Sequence, residues 1–300
     1  MSTPMADRAR SWLGYESPDI PVRWDLRDVL TYALAVGADP ARDQPCLDES
    51  AGPLIVPTFA TFAAGPWTPH LHRTIWAAEP GGIAASIAYR LHRPISVQGT
   101  ATARVQVTGF EVKPAAVLVW LTTTTAGPDG PLLSGRHSVL FRGGGDRETV
   151  GDTEPWAYPG PTADPPAAAG NELLTAAVPV DQRAIALYRL LLPLRAGQPG
   201  PDQQHVSASI SAASGLGPPT LHGTAVIGHV GLALTRMPGD GVHGVSGFGA
   251  RFRTPVHPGD RLAVSTSRPS HGESWAVSVT NQDGQAVLDQ AWVEFSKEDR

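Results

Sequence analysis

The chain has 300 residues, enough for one large domain or two of ordinary size. With 41% hydrophobic and 17% charged residues it can bury a core, which excludes disorder throughout, and a net charge of −5 without a basic stripe argues against nucleic acid as a partner. A single cysteine, Cys46, excludes an intramolecular disulfide framework and a cysteine-rich zinc site.

The opening stretch MSTPMADRARSWLGY has no apolar run of signal type. No later run reaches membrane-spanning length, so no membrane partner and a cytoplasmic location are expected. A helix is predicted after Asp25, which can cap it, with Leu26, Val29, Leu30, Ala33 and Leu34 on one face. Gly37 ends it. LIVPTFATFAAG follows, apolar and interrupted by Pro57. After Arg93-Pro94 come three strand-like runs at 101–112, 115–126 and 135–143, rich in Thr and Val, with GPDGP as the turn between the last two.

The stretch 143–170 is crowded with Gly, Pro and Asp, cannot hold a long helix or a central strand, and reads as a linker with Trp156 and Tyr158 to anchor it. Beyond it the order repeats. A short strand is followed by a helical stretch from Asp181 that Pro193 ends, and 219–237 is a long apolar helix candidate. Arg253 and Pro255 then precede the runs RLAVSTSR, SWAVSVTNQ and AVLDQAWVEFS, the last two separated by a turn at Asn281–Gly284. The division expected is 1–142 for a first module, 143–170 for the linker and 171–300 for a second module.

A long helix followed by an antiparallel meander must bury the helix against the sheet. The expected class is α+β, a tandem double hotdog in which each sheet wraps one helix. Two copies in one chain can pair edge to edge and cover exposed strands.

Several pieces resemble the MaoC-like dehydratase and type-2 enoyl-CoA hydratase family. RDVLTYALAVGA (27–38), VPTFATF (56–62), LHRPISVQG (91–99) and SVLFRGGG (138–145) resemble parts of its first module. HVSASISAASGLGPPTLHGTAV (205–226) resembles the catalytic His, the variable helix and the Leu-His-Gly segment. FGARFRTPVHPGDRLAV (248–264) and NQDGQAVLDQAWVEF (281–295) resemble the end of the second module. The family pattern Asp-x-Asn-Pro-x-His is altered here to Gly200-Pro201-Asp202-Gln203-Gln204-His205, so His205 is kept and Gly200 stands at the usual Asp position. The first half also has GGIAASIAYR (81–90) where His-Gly-Glu-Gln is usual.

The resemblance implies hydration of a 2-enoyl thioester, or the reverse dehydration, with acyl-CoA or an acyl carrier protein thioester as partner. Such chemistry needs a base for water, an acid for Cα and donors for the enolate oxygen. It assigns His205 the proton transfers and the Gly223 N–H the oxyanion, with Asp202 as a second member of the dyad. A surface-loop His205 and a solvated Asp202 are the bland alternatives. His222 is expected to position the helix start, and Val56, Phe59 and Phe62 to line an acyl tunnel or, equally, an ordinary core. His222 and His229 do not make a metal motif, and no metal or cofactor is expected. Arg93 and Arg253 read as surface residues or phosphate contacts. The replaced Asp leaves open a subunit without hydratase activity of its own, or a diverged tailoring enzyme on the same fold. Association as a homodimer or with a partner subunit also stays open.

Overall fold

The computed structural model describes residues 4–64, 67–77, 82–156, 173–192, 201–213, 217–237, 244–267 and 274–296. The opening residues, read above only for a signal run, form α1 (Met5–Trp12), which buries Ala9 and Trp12. After β1 (Ile20–Trp24), α2 (Leu26–Ala35) starts where expected. The Asp25 carboxylate accepts from the Arg27 and Asp28 amides while Asp28 accepts from the Asp25 amide, a reciprocal capping box. Gly37 takes φ +95° just past the helix end. The buried face differs from the expected one. It runs through Val29, Tyr32 and Ala33, while Leu34 stays 41% exposed, because Tyr32 packs its ring on Phe59 and Tyr188.

A short α3 (Gln44–Leu47) and a 3-10 turn, Pro57–Phe59, lead into α4 (Ala60–Ala64) and α5 (Trp67–Arg73). β2 (Ile83–Leu91), β3 (Gly99–Val112), β4 (Ala116–Gly127) and β5 (Gly130–Arg142) complete the first antiparallel sheet, and β6 (Glu148–Gly151) pairs with the edge of β3. The second half holds β7 (Leu173–Pro179), α6 (Ala184–Leu190), a 3-10 turn at Pro201–His205, and α7 (Ala208–Ala213). It closes with α8 (Gly223–Thr235), β8 (Val245–Phe252), β9 (Arg261–Ser267), β10 (Ser274–Thr280) and β11 (Ala286–Phe295).

The strands follow the order β1-β3-β4-β5-β2-β8-β11-β10-β9-β7, so both modules share one continuous sheet. The seam is β2 against β8, antiparallel from Ser86↔Arg251 to Arg90↔Gly247. This is the edge-to-edge pairing expected of two hotdog modules. Neither seam strand was legible as one, and both lie just before the Arg-Pro landmarks. Their Ala, Gly and Ser content gives no clear alternation. Small residues are needed because large neighbours fill the space: a Cβ on Gly249 would meet the Trp292 indole at 2.7 Å.

Helix α8 is buried all round, from Ala225 to Leu234. Its interior glycines, Gly228 and Gly231, each cost about 1 kcal/mol of helix propensity. Burial of Ile227, Val230, Leu232 and Leu234 contributes about 1.5–3 kcal/mol apiece, so packing outweighs propensity. Among the described residues no helix is long and apolar enough to cross a membrane.

Candidate active site

A cavity of about 720 Å³ lies between the two modules. The second module lines it with Tyr188 of α6, Gln204 and His205, residues 220–224, Val226 and 252–256. The first module contributes Arg23, Asp28, Thr61, Phe62, His72, Trp76 and parts of β2 and β5.

Two short segments assemble the reactive corner. The segment from Pro219 to His222 is held in place by the Leu221 amide, which donates to Val256 O at 2.7 Å. His257 Nδ1 donates to Pro219 O at 3.0 Å and holds the same segment from below. The 3-10 turn then brings His205 against it, with Nδ1 donating to Thr220 O at 2.8 Å. A carbonyl can only accept, so the His205 proton sits on Nδ1 and the Nε2 lone pair is left for chemistry. Nε2 has no hydrogen-bond partner among the described residues. The His205 and His222 rings lie 3.7 Å apart between centroids, and Tyr188 covers His222 from the other side at 5.1 Å.

Burial sets the charge state here. It pushes the His205 pKa down to about 4, with the Thr220 carbonyl opposing and Arg189 adding to the fall. Burial, then the neighbouring His205 and Arg189, hold His222 well below the ordinary imidazole range. Both rings are neutral at pH 7, which removes the repulsion that close cationic rings would suffer.

The N-terminal turn of α8 opens beside this pair. His222 is its N-cap residue and Gly223 its first helical residue. Helix-start amides have no intrahelical acceptor and lie at the positive end of the dipole. Gly223 is required sterically as well: a Cβ there would lie 2.9 Å from the Phe252 ring.

The sequence-derived candidates therefore divide. His205, His222, Gly223 and Phe62 line one cavity. Val56 and Phe59 sit in the hydrophobic core, 2% and 0% exposed, and are not among the lining residues. Asp202 belongs to the 3-10 turn by its backbone, its side chain lying outside the described residues, as does Gly200 entirely. Asp28 is the one carboxylate on the described wall, and its Oδ2 is engaged by the Asp25 amide. His229 is wholly buried, its Nδ1 donating to Ala225 O at 2.8 Å. Arg253 lines the cavity, whereas Arg93 lies elsewhere and bonds Pro131 O. No group of three His, Cys, Asp or Glu suited to a metal occurs among the described residues. The sequence reading passed over Tyr188, Thr220, His72, Ser86 and Ser138 as site residues. No local motif marks them, and tertiary packing alone brings them to the wall.

Residues 166–283 match the family model described as MaoC like domain. The second half of the chain is thus similar to MaoC-like domains. Over 294 residues the chain is 29% identical to enoyl-CoA hydratase ChsH3 of Mycobacterium tuberculosis, covering 92% of this chain and 94% of that one. The full-length peroxisomal multifunctional enzyme type 2 of Drosophila melanogaster superposes with a TM-score of 0.72 at 20% identity. That match covers 93% of this chain and 48% of the other, so the chain spans about half the fly enzyme's length. A Mycobacterium tuberculosis protein described as having a double hotdog fold superposes with a TM-score of 0.61 at 20% identity, covering 94% of this chain and 95% of that one. The likeness to these structures shows the fold, two hotdog modules in tandem, and His205, His222 and Gly223 fall within the residues that match the family model.

Proposed function

We propose that the chain hydrates 2-enoyl thioesters to 3-hydroxyacyl thioesters, and runs the reverse dehydration, on CoA or acyl carrier protein. The supporting observation is the position of His205. Its imidazole borders the cavity beside the amide start of α8, fixed in one tautomer by Thr220 O. In this reading Nε2 takes a proton from water as the water oxygen bonds to Cβ of the substrate. The double-bond electrons move through Cα to the thioester oxygen, where the Gly223 N–H stabilises the enolate. Nε2 then returns the same proton to Cα. Water is added whole, with hydroxyl at Cβ and hydrogen at Cα, and one imidazole serves first as base and then as acid.

This one-base route suits a site in which Gly200 stands where the family pattern has Asp. The His222 ring packs against His205 at 3.7 Å between centroids, tilted by 33°. The similarity to an enoyl-CoA hydratase over most of the chain supports the reaction class. The test is turnover of a panel of enoyl-CoA and 3-hydroxyacyl-CoA substrates of varied chain. His205→Gln is expected to lower kcat by about 10²–10⁴ while leaving the melting temperature near that of the parent. Absence of turnover on CoA and carrier-protein substrates alike would sink the assignment.

A further inference from the structure

The cavity wall supplied by the first module is more polar than a hydrocarbon tunnel requires. Of Val56, Phe59 and Phe62 in the VPTFATF stretch, only Phe62 reaches it. The same module also brings Thr61, His72, Ser86 and Ser138 to the wall. The Ser86 and Ser138 hydroxyls lie 2.6 Å apart across the β2–β5 pair, so one donates to the other. One O–H and several lone pairs of that pair have no partner among the described residues. His72 has no hydrogen bond on either ring nitrogen among the described residues. Its ring is set edge-on against the buried Trp76, 5.5 Å between centroids. Burial holds its pKa below the ordinary value, so it is neutral at pH 7 and offers one donor and one acceptor.

A plain alkyl chain seated here would strip water from these groups and return no hydrogen bond. Each unmet buried polar group costs about 1–3 kcal/mol. The cavity, about 720 Å³, is also in the range that holds drug-sized guests. We propose that the acyl group bound here carries an oxygen function beyond its thioester-conjugated carbons, a hydroxyl or a ketone, recognised by His72 and the Ser86–Ser138 pair. The inference rests on the thioester reading above and narrows it to oxygenated acyl groups.

Saturated acyl-CoA compounds have no double bond to hydrate, so their binding to the full chain can be read by calorimetry without turnover. The ligands are a medium-chain acyl-CoA and congeners of equal length bearing a hydroxyl or a ketone at successive distal carbons. At least one oxygenated congener is expected to bind about tenfold tighter than the plain chain, the ratio one unmet buried hydrogen bond gives. His72→Phe and Ser86→Ala should each erase most of that advantage, in part by tightening the plain ligand, which then buries one unmet polar group fewer. Ser86→Ala alone decides the matter if the bulkier change fails to fold. Equal affinity for plain and oxygenated chains, or a preference intact in the variants that fold, overturns the polar subsite and leaves the thioester reading standing. If no acyl-CoA binds at all, both fall together.

Discussion

The role proposed for His205 requires an unprotonated ring when substrate arrives, and burial favours that state. Its pKa near 4 predicts that kcat/KM stays level from neutral pH down to about 5 and falls only on approach to 4. An acid limb near the ordinary 6.5 would mean that His205 is solvated and would remove the basis for the site. The same physics acts on stability through His229, wholly buried, with Nε2 unbonded and its pKa pushed down to about 4, chiefly by burial. The unfolded chain takes up a proton near 6.5 that the native state refuses. Stability is therefore full above 6.5 and declines as the pH falls from there toward 4. For one histidine the loss approaches about 3 kcal/mol. Denaturant titrations from pH 7 to 4.5 should show that slope, and His229→Leu should lessen it by one histidine's share, the rest coming from His137, His205 and His222, whose pKa values burial also lowers. At this scale the sequence was readable where chemistry is local. His205, His222 and Gly223 come together because short segments with a recognisable pattern join them. Val56 and Phe59 were not separable from Phe62, since an apolar run reads the same in a core as in a tunnel. His72, Ser86 and Ser138 gain meaning only from packing and from the register of β2 on β5.

Among the elements, α8 shows packing reversing propensity. Glycine-to-alanine inside a helix normally stabilises by up to about 1 kcal/mol. At Gly228 the added Cβ would lie 2.3 Å from Val36 Cγ1 and 2.9 Å from Tyr32 Oη, and at Gly231 it would lie 2.3 Å from Thr58 Oγ1. Gly228→Ala is therefore expected to destabilise by about 1–3 kcal/mol, as overpacking does. Urea unfolding of the parent and the variant fixes the sign, and a stabilised variant would contradict the close approach of α8 to α2. The helix itself was legible from its apolar content, although its glycines did not announce that first-module side chains would fill their places. The strands β3, β4, β5, β9, β10 and β11 were legible because Val and Thr runs end in turn residues. The seam strands β2 and β8 were not, since the small residues that make room for Trp292 carry no period.

At the level of the molecule, the two modules are joined by more than the chain between them. The β2–β8 seam runs their sheets together, and the cavity takes walls from both. Arg236 at the end of α8 grips the first module, its Nε and Nη2 donating to the Asp43 carboxylate at 2.8 and 2.7 Å and Nη2 also to Gly37 O at 3.0 Å. Burial would raise the Asp43 pKa, but the bonds from Arg236 and the Asp39 amide outweigh it and leave the carboxylate below its usual value. The general plan of two modules followed from the repeated order of parts. What each module contributes to the cavity depends on which side chains packing brings to its wall.

The seam has a consequence for what a scissile bond would do. Two pieces that share a strand pair, a buried ion pair and a helix-to-helix contact are expected to stay together as a complex once the peptide between them is cut. A protease site inserted between Asp164 and Ala169, once cut, should leave a nicked protein that elutes at the size of the intact one and keeps its turnover. The halves produced as separate polypeptides should recover function by complementation, each alone being prone to aggregate through its bare strand.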